Sequence, residues 1–171
     1  PSCGDGVFLR GLSKLSKNGL KSIQAFEIEP AEAEKAKDSA SEFKKVDVQI
    51  TTRDFLGWSL TRLLNPPQFD AVVGNPPFIR YQYLDSGLQG ISEQIFKVFH
   101  LPFTKHTNAW VPFILSSLAL LRSGGRLAMV VPSELLHVLH AESLRLYLTK
   151  VCSRVLIFDP QEIWFEDTLQ G

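Results

Sequence analysis

Asn75-Pro76-Pro77-Phe78 follows the apolar run Phe69–Val73 after a single glycine. Two adjacent prolines fix their own φ, push the preceding residue out of the helical region and leave carbonyls with no N–H of the same loop competing for them. The product is a stiff, acceptor-rich corner at the end of a predicted strand. An exocyclic amine on a nucleobase is a poor nucleophile, because its lone pair is delocalised into the ring. The amide oxygen of Asn75 and the main-chain carbonyl of Pro76 can each take one N–H of such an amine, favouring a pyramidal nitrogen. Positioning and directed acceptors then supply the catalysis, and Phe78 offers a face on which the base can stack. Asn65-Pro66-Pro67 warns that the same tripeptide also serves as a plain turn. The second copy differs in following its strand directly and in carrying an aromatic residue.

The other glycine-rich candidate is Cys3-Gly4-Asp5-Gly6, ahead of an apolar helical pattern. Glycines let the backbone approach a ligand, and a helix start offers free N–H groups. A dinucleotide fingerprint needs Gly or Ala at position 9, where the chain has Leu9, and no Walker sequence is present. The remaining user of such a turn is S-adenosylmethionine, whose ribose hydroxyls need an acid at the end of the next strand. Glu27 stands there, with Glu29 as the second choice. Asp54 ends the following strand, where it can accept from an adenine amino group while Phe55 lies on the ring. An N-cap for a short helix is the alternative for Asp54.

These residues need a scaffold that brings strand ends to one edge. Helical spacing predicts helices over Val7–Lys17, stopped by Asn18-Gly19, over Pro30–Phe43, after Asp54, from Asn108 to Leu121, and from Ser133 to Lys150. Strand patterns cover Ser22–Ile28, Val46–Thr51, Phe69–Val73, Arg126–Val131 and Arg154–Phe158. Alternating strands and helices predict an α/β, doubly wound, mostly parallel sheet. One further strand is expected upstream of Pro1, and the chain reads as a partial domain truncated at both ends. Ile79–His106 lacks clear periodicity and is read as either a lid or a packed connector.

The 171 residues carry 18 Lys+Arg and 18 Asp+Glu, with 44% hydrophobic residues, which suits one globular core and gives no autonomous basic surface for nucleic acid. The longest apolar stretch, Ala109–Leu121, falls short of the roughly 20 residues a membrane span needs. Two cysteines with no metal-ligand spacing make a reducing compartment the default. His137 and His140 lie one helical turn apart without a carboxylate motif and read as helix-face residues, so no metal is expected.

Taken together, the residues resemble the adenine-specific DNA amino-methyltransferases of restriction and modification systems, within the Rossmann-like class I S-adenosylmethionine-dependent fold. Pro1-Ser2-Cys3-Gly4-Asp5-Gly6-Val7-Phe8-Leu9 is similar to their first motif, and Asn75 to Phe78 to their catalytic tetrapeptide. The resemblance implies that S-adenosylmethionine is held by Pro1, Cys3, Gly4, Asp5, Gly6, Glu27, Ile28, Asp54 and Phe55. It also implies that Asn75, Pro76, Pro77 and Phe78 are catalytic, with Arg80 and Phe165 joining Phe78 on the substrate. Phe165, within Trp164-Phe165-Glu166, would pack against an adenine flipped out of double-stranded DNA. An acid that precedes the proline in that family lies outside the chain. The short stretch between the two motifs implies the gamma arrangement, with a target-recognition domain downstream, in a cytoplasmic enzyme of a bacterium or archaeon. Arg80, Tyr81 and Gln82 are candidates to touch DNA. RNA base methyltransferases and release-factor glutamine methyltransferases share the Asn-Pro-Pro-aromatic signature and form the alternative, and an inactive subunit that keeps the fold is a third reading.

Overall fold

Ala25 and Phe26 are consecutive, and a strand sends consecutive side chains to opposite faces. Both are buried, so both faces of their strand are covered. That is the signature of a doubly wound sheet. The computed structural model describes residues 1–15, 19–105, 107–138 and 141–159. They fall into two compact units, Pro1–Pro132 and the described residues from Ser133 onward.

In the first unit, α1 (Val7–Lys14) is followed by β1 (Ser22–Glu27), α2 (Pro30–Ala40) and β2 (Asp47–Thr52). β1 and β2 pair in parallel from Ser22↔Asp47 to Glu27↔Thr52. On one face, Ala25 joins Cys3, Leu9, Ala36 and Phe43 in a core supported by α1 and α2. On the other, the Phe26 ring lies 4.3 Å from Trp58 and 5.6 Å from Phe55, both in α3 (Phe55–Leu60). Phe55 in turn stacks on Phe113 of α5 (Trp110–Ala119) at 5.6 Å. Pro112 falls in the first turn of α5, where its missing N–H costs nothing.

β3 (Phe69–Gly74) pairs in parallel with β4 (Leu121–Met129). Their register jumps from Phe69↔Leu121 to Ala71↔Arg126. The residues between form a bulge held by Arg122 Nε donating to Asp70 at 2.7 Å. Gly125 is required there, since a Cβ would stand 2.9 Å from the Arg122 carbonyl. The strand therefore starts at Leu121, where helical spacing alone still predicts helix, before Gly124 and Gly125.

Instead of one continuous sheet, the described residues form two parallel pairs, β1–β2 and β3–β4. Residues of β1 and β3, with Pro1, Cys3, Leu9, Leu12, Trp58 and Leu120, line an apolar cavity of about 190 Å³.

The stretch without periodicity is a packed connector. A 3-10 turn at Tyr81–Tyr83 precedes α4 (Ser86–Val98), capped by the Asp85 carboxylate accepting from Gly87 and Leu88 N–H. Gly87 and Gly90 each cost about 1 kcal/mol of helix propensity and hide the pattern. Burial of Ile95 and Phe96 outweighs that cost.

The second unit holds α6 (Glu134–His137) and α7 (Glu142–Val151), where sequence spacing predicts one helix. Val138 is extended, and Arg145 Nη1 donates to the carbonyls of Leu135 and Val138 at 3.0 and 2.9 Å, satisfying the end of the shorter helix. Ser133 makes no side-chain cap bond. Arg154–Phe158 forms no strand, because it has no hydrogen-bonded partner among the described residues and its apolar side chains are exposed. No helix is long and apolar enough to cross a membrane among the described residues.

Candidate active site

The glycine turn enters α1 through two left-handed residues, Gly4 at φ +53° and Gly6 at φ +90°. Their surroundings differ. A Cβ on Gly6 would stand 2.9 Å from Ser39, whereas one on Gly4 would meet nothing within 4 Å. Gly6 is thus a packing glycine against α2, and Gly4 presents open backbone. Arg10 braces the turn, donating to the Asp5 carbonyl at 2.7 Å and to the Asp5 carboxylate at 2.8 Å.

Glu27 is only 8% exposed and ends β1 against the turn. Its Oε2 accepts from Gly4 N–H at 2.8 Å, and its Oε1 accepts from Ile28 and Glu29 N–H at 2.8 and 3.0 Å. A carboxylate has about four acceptor sites, so about one remains for an incoming hydroxyl. Beside it, Ile28 is 52% exposed. Cys3 donates its N–H to the Phe26 carbonyl at 2.9 Å and sends its side chain into the core. Burial, with a smaller contribution from the Glu27 charge, pushes the Cys3 thiol up.

Asp54 caps α3, accepting from Leu56 N–H at 3.2 Å and Gly57 N–H at 2.5 Å. The Phe55 ring is buried among aromatics. Asp54 thus caps α3 with part of its acceptor capacity still open, and beside these strand ends Ile28 is exposed while Phe55 is buried.

β3 delivers the diproline corner. Gly74 abuts the glycine turn: a Cβ there would lie 3.1 Å from the Pro1 carbonyl oxygen and 3.1 Å from Pro1 Cγ. The sequence drew attention to the residues after Gly74 but not to Gly74, whose need for close approach shows only in three dimensions. Pro76 is fully buried, Phe78 is 38% exposed, and Asn75 Oδ1 is buried without a hydrogen-bond partner among the described residues. Past the corner, Ala109 N–H donates to the Ile79 carbonyl at 2.7 Å and Tyr81 N–H to the Thr107 carbonyl at 3.1 Å, bridging Arg80 to Asn108. Tyr81 points inward, donating its hydroxyl to Glu93 at 2.5 Å with its ring edge-on to Phe103. It is a packing residue and not a surface contact, because that bond and that ring need the interior. Arg80 and Gln82 are exposed.

The model of a protein family described as "Eco57I restriction-modification methylase" matches residues 8–164. The chain belongs to this methylase family. Among curated relatives, the type II methyltransferase M.AccI of Acinetobacter calcoaceticus is 27% identical over 171 residues, which covers 99% of this chain and 30% of that protein. The type II methyltransferase M.HincII of Haemophilus influenzae is 25% identical over 167 residues, covering 96% of this chain and 29% of that protein. A tRNA1(Val) (adenine(37)-N6)-methyltransferase of Porphyromonas gingivalis is 31% identical over 148 residues, 84% of this chain and 51% of that protein. The chain thus spans about three tenths of the length of the restriction-modification relatives and about half that of the tRNA enzyme.

For this member of the Eco57I methylase family, the turn at Gly4, Glu27 at the end of β1 and Asn75 at the end of β3 belong to one connected neighbourhood through the Gly4–Glu27 bond and the Gly74–Pro1 contact. Phe165, in the late aromatic motif, and His140 lie outside the described residues. No group of three or more His, Cys, Asp or Glu able to hold a metal occurs among the described residues.

Proposed function

We propose that this chain is the cofactor-binding and catalytic part of a DNA methyltransferase that moves a methyl group from S-adenosylmethionine to the exocyclic N6 of an adenine flipped from double-stranded DNA. The observation that carries the reading is the orphaned Asn75 Oδ1. A buried acceptor without a partner costs about 1–3 kcal/mol, a cost that is recovered when an incoming amine donates to it.

The residues fit S-adenosylmethionine. Gly4 leaves open space along its backbone, Glu27 keeps an acceptor for a ribose hydroxyl, and Ile28 offers an apolar surface for an adenine ring. Pro1, Cys3, Asp5 and Gly6 shape the turn through their main chain, and Asp54 and Phe55 fix the strand end beside it. The bound cofactor supplies an electrophilic methyl group on a sulfonium. Asn75 Oδ1 and the Pro76 carbonyl each take an N–H of the target amine and turn its lone pair outward, while Pro77 keeps the corner stiff. Phe78 gives the flipped base a stacking face, and Phe165 is the proposed second face.

We assign target recognition to a region downstream of this chain, in keeping with relatives more than three times as long. The apolar cavity between β1 and β3 suits a strand preceding Pro1, which would join the two pairs into one sheet. The tRNA relative favours RNA as the second reading. Labelled methyl transfer by the full-length protein to unmodified DNA, RNA and release factor separates these. Transfer to N6 of adenine in DNA is expected, and transfer confined to RNA or to protein would overturn it.

A further inference from the structure

Tyr83 is 72% exposed, although it sits at the end of a turn whose other tyrosine is buried. The turn is not loose. Tyr83 N–H donates to the Arg80 carbonyl at 2.9 Å and Leu84 N–H to the Tyr81 carbonyl at 3.0 Å. Gln89 Nε2 reaches back to the carbonyls of Tyr81 and Leu84 at 3.1 and 2.9 Å. Inside, the Tyr81 hydroxyl is tied to Glu93, and its ring lies 4.9 Å from Phe103. These contacts hold the backbone on both sides of Tyr83 while leaving its ring in solvent. Immersing a large aromatic in water is unfavourable, and fixing the backbone that carries it confines the ring to the solvent side of the turn.

Its neighbours share this exposure. Phe78 and Ile79 are exposed apolar residues, and the exposed Arg80 side chain has no hydrogen bond or ion pair among the described residues. Four residues lie between Phe78 and Tyr83, so their Cα atoms lie within about 18 Å. Bases of one strand are spaced about 3.4 Å apart, so a few nucleotides of a strand starting at Phe78 would cover that span. An aromatic face and an unpaired guanidinium are the two groups that hold an unstacked nucleotide, by its base and by its phosphate.

We infer that Tyr83 is a second nucleobase-stacking residue, engaging a base adjacent to the flipped adenine while Arg80 takes the neighbouring phosphate. This rests on the DNA-methylation reading above. Flipping leaves the adjacent bases with one unstacked face, and an aromatic ring carried on a fixed backbone covers it, lowering the cost of extrusion.

The test uses full-length protein carrying Tyr83→Ala or Tyr83→Phe, with methyl transfer measured against DNA concentration. A fluorescent 2-aminopurine at the target position reports flipping, and thermal melting reports folding. Tyr83→Ala is expected to raise the KM for DNA about 5- to 150-fold, equivalent to about 1–3 kcal/mol per stacked base, and to reduce the flipping signal, with unchanged melting. Tyr83→Phe should match the parent in all three. Unchanged KM in Tyr83→Ala while the parent methylates DNA would overturn the stacking role alone. A fall in melting temperature that accounts for the activity loss would also overturn it, because the ring would then be packing against another part of the protein. A parent that methylates no DNA removes the underlying reading as well.

Discussion

Gly4 N–H donates to Glu27 Oε2 at 2.8 Å, so the residue proposed to receive a ribose also holds the turn proposed to face the cofactor. On that proposal Glu27 acts on the site twice, through its remaining acceptor and through the backbone it positions.

Glu27→Gln puts an amide N–H₂ where one carboxylate oxygen accepts from the backbone, leaving at least one amide unpaired. The full-length variant is expected to lose about 1.5–3 kcal/mol of stability, the range for hydrogen bonds to charged groups, and to bind S-adenosylmethionine more weakly. Chemical denaturation and cofactor titration measure the two effects. Parent-like values in both would remove Glu27 from its position-holding role.

The two left-handed glycines should separate function from folding. Gly6→Ala forces a Cβ to within 2.9 Å of Ser39 at φ +90° and should destabilise by about 1–3 kcal/mol or more. Gly4→Ala meets no protein atom within 4 Å and should cost about 1–2 kcal/mol of backbone strain. Its larger effect should be on cofactor affinity, since the new methyl projects into the space assigned to the ligand. Equal cofactor affinity in Gly4→Ala and parent would show that the ligand lies elsewhere.

Asn75→Ala removes the orphaned acceptor. Methyl transfer by full-length protein should fall about 10²- to 10³-fold in kcat, by analogy with loss of one directed polar group from a preorganised site. Melting temperature should hold or rise slightly, because an unpaired buried oxygen has gone. A variant as fast as the parent would end the catalytic assignment.

The Glu93 hydrogen bond, with smaller contributions from burial and from the Glu93 charge, pushes the Tyr81 hydroxyl above its ordinary range. A raised pKa in the folded state means this contribution to stability is fully present below the ordinary tyrosine value of about 10 and lost as pH rises through the higher folded value. Tyr81→Phe should therefore be less stable than the parent at neutral pH, and the gap should close in strongly alkaline solution. Denaturant midpoints across a pH series of the full-length protein give the comparison; a gap that stays constant with pH would assign the effect to packing alone.

Sequence pattern carried the local information well. The apolar spacing of Phe8 and Leu12 located α1, Pro30 opened α2, and apolar runs placed β1 to β3 within about a residue of their observed ends. The diproline corner was legible because proline fixes φ without help from the rest of the chain. The Asp85 cap of α4 was present in the residues, but two glycines and the aromatic content masked it until packing against α3 and α5 was visible.

By itself, then, the sequence determined residue chemistry, most elements and the parallel α/β class, all of which follow from short-range sterics and burial period. The tertiary structure decided what each side chain is already bonded to. It spent Asp54 on a helix cap, Phe55 and Tyr81 on the interior, and most of Glu27 on three backbone amides. It left Asn75 Oδ1 unpaired and turned Tyr83 outward. Hydrogen-bond partners are fixed by contacts between residues far apart in the chain, such as Gly4 with Glu27, and no periodicity within a single element encodes them.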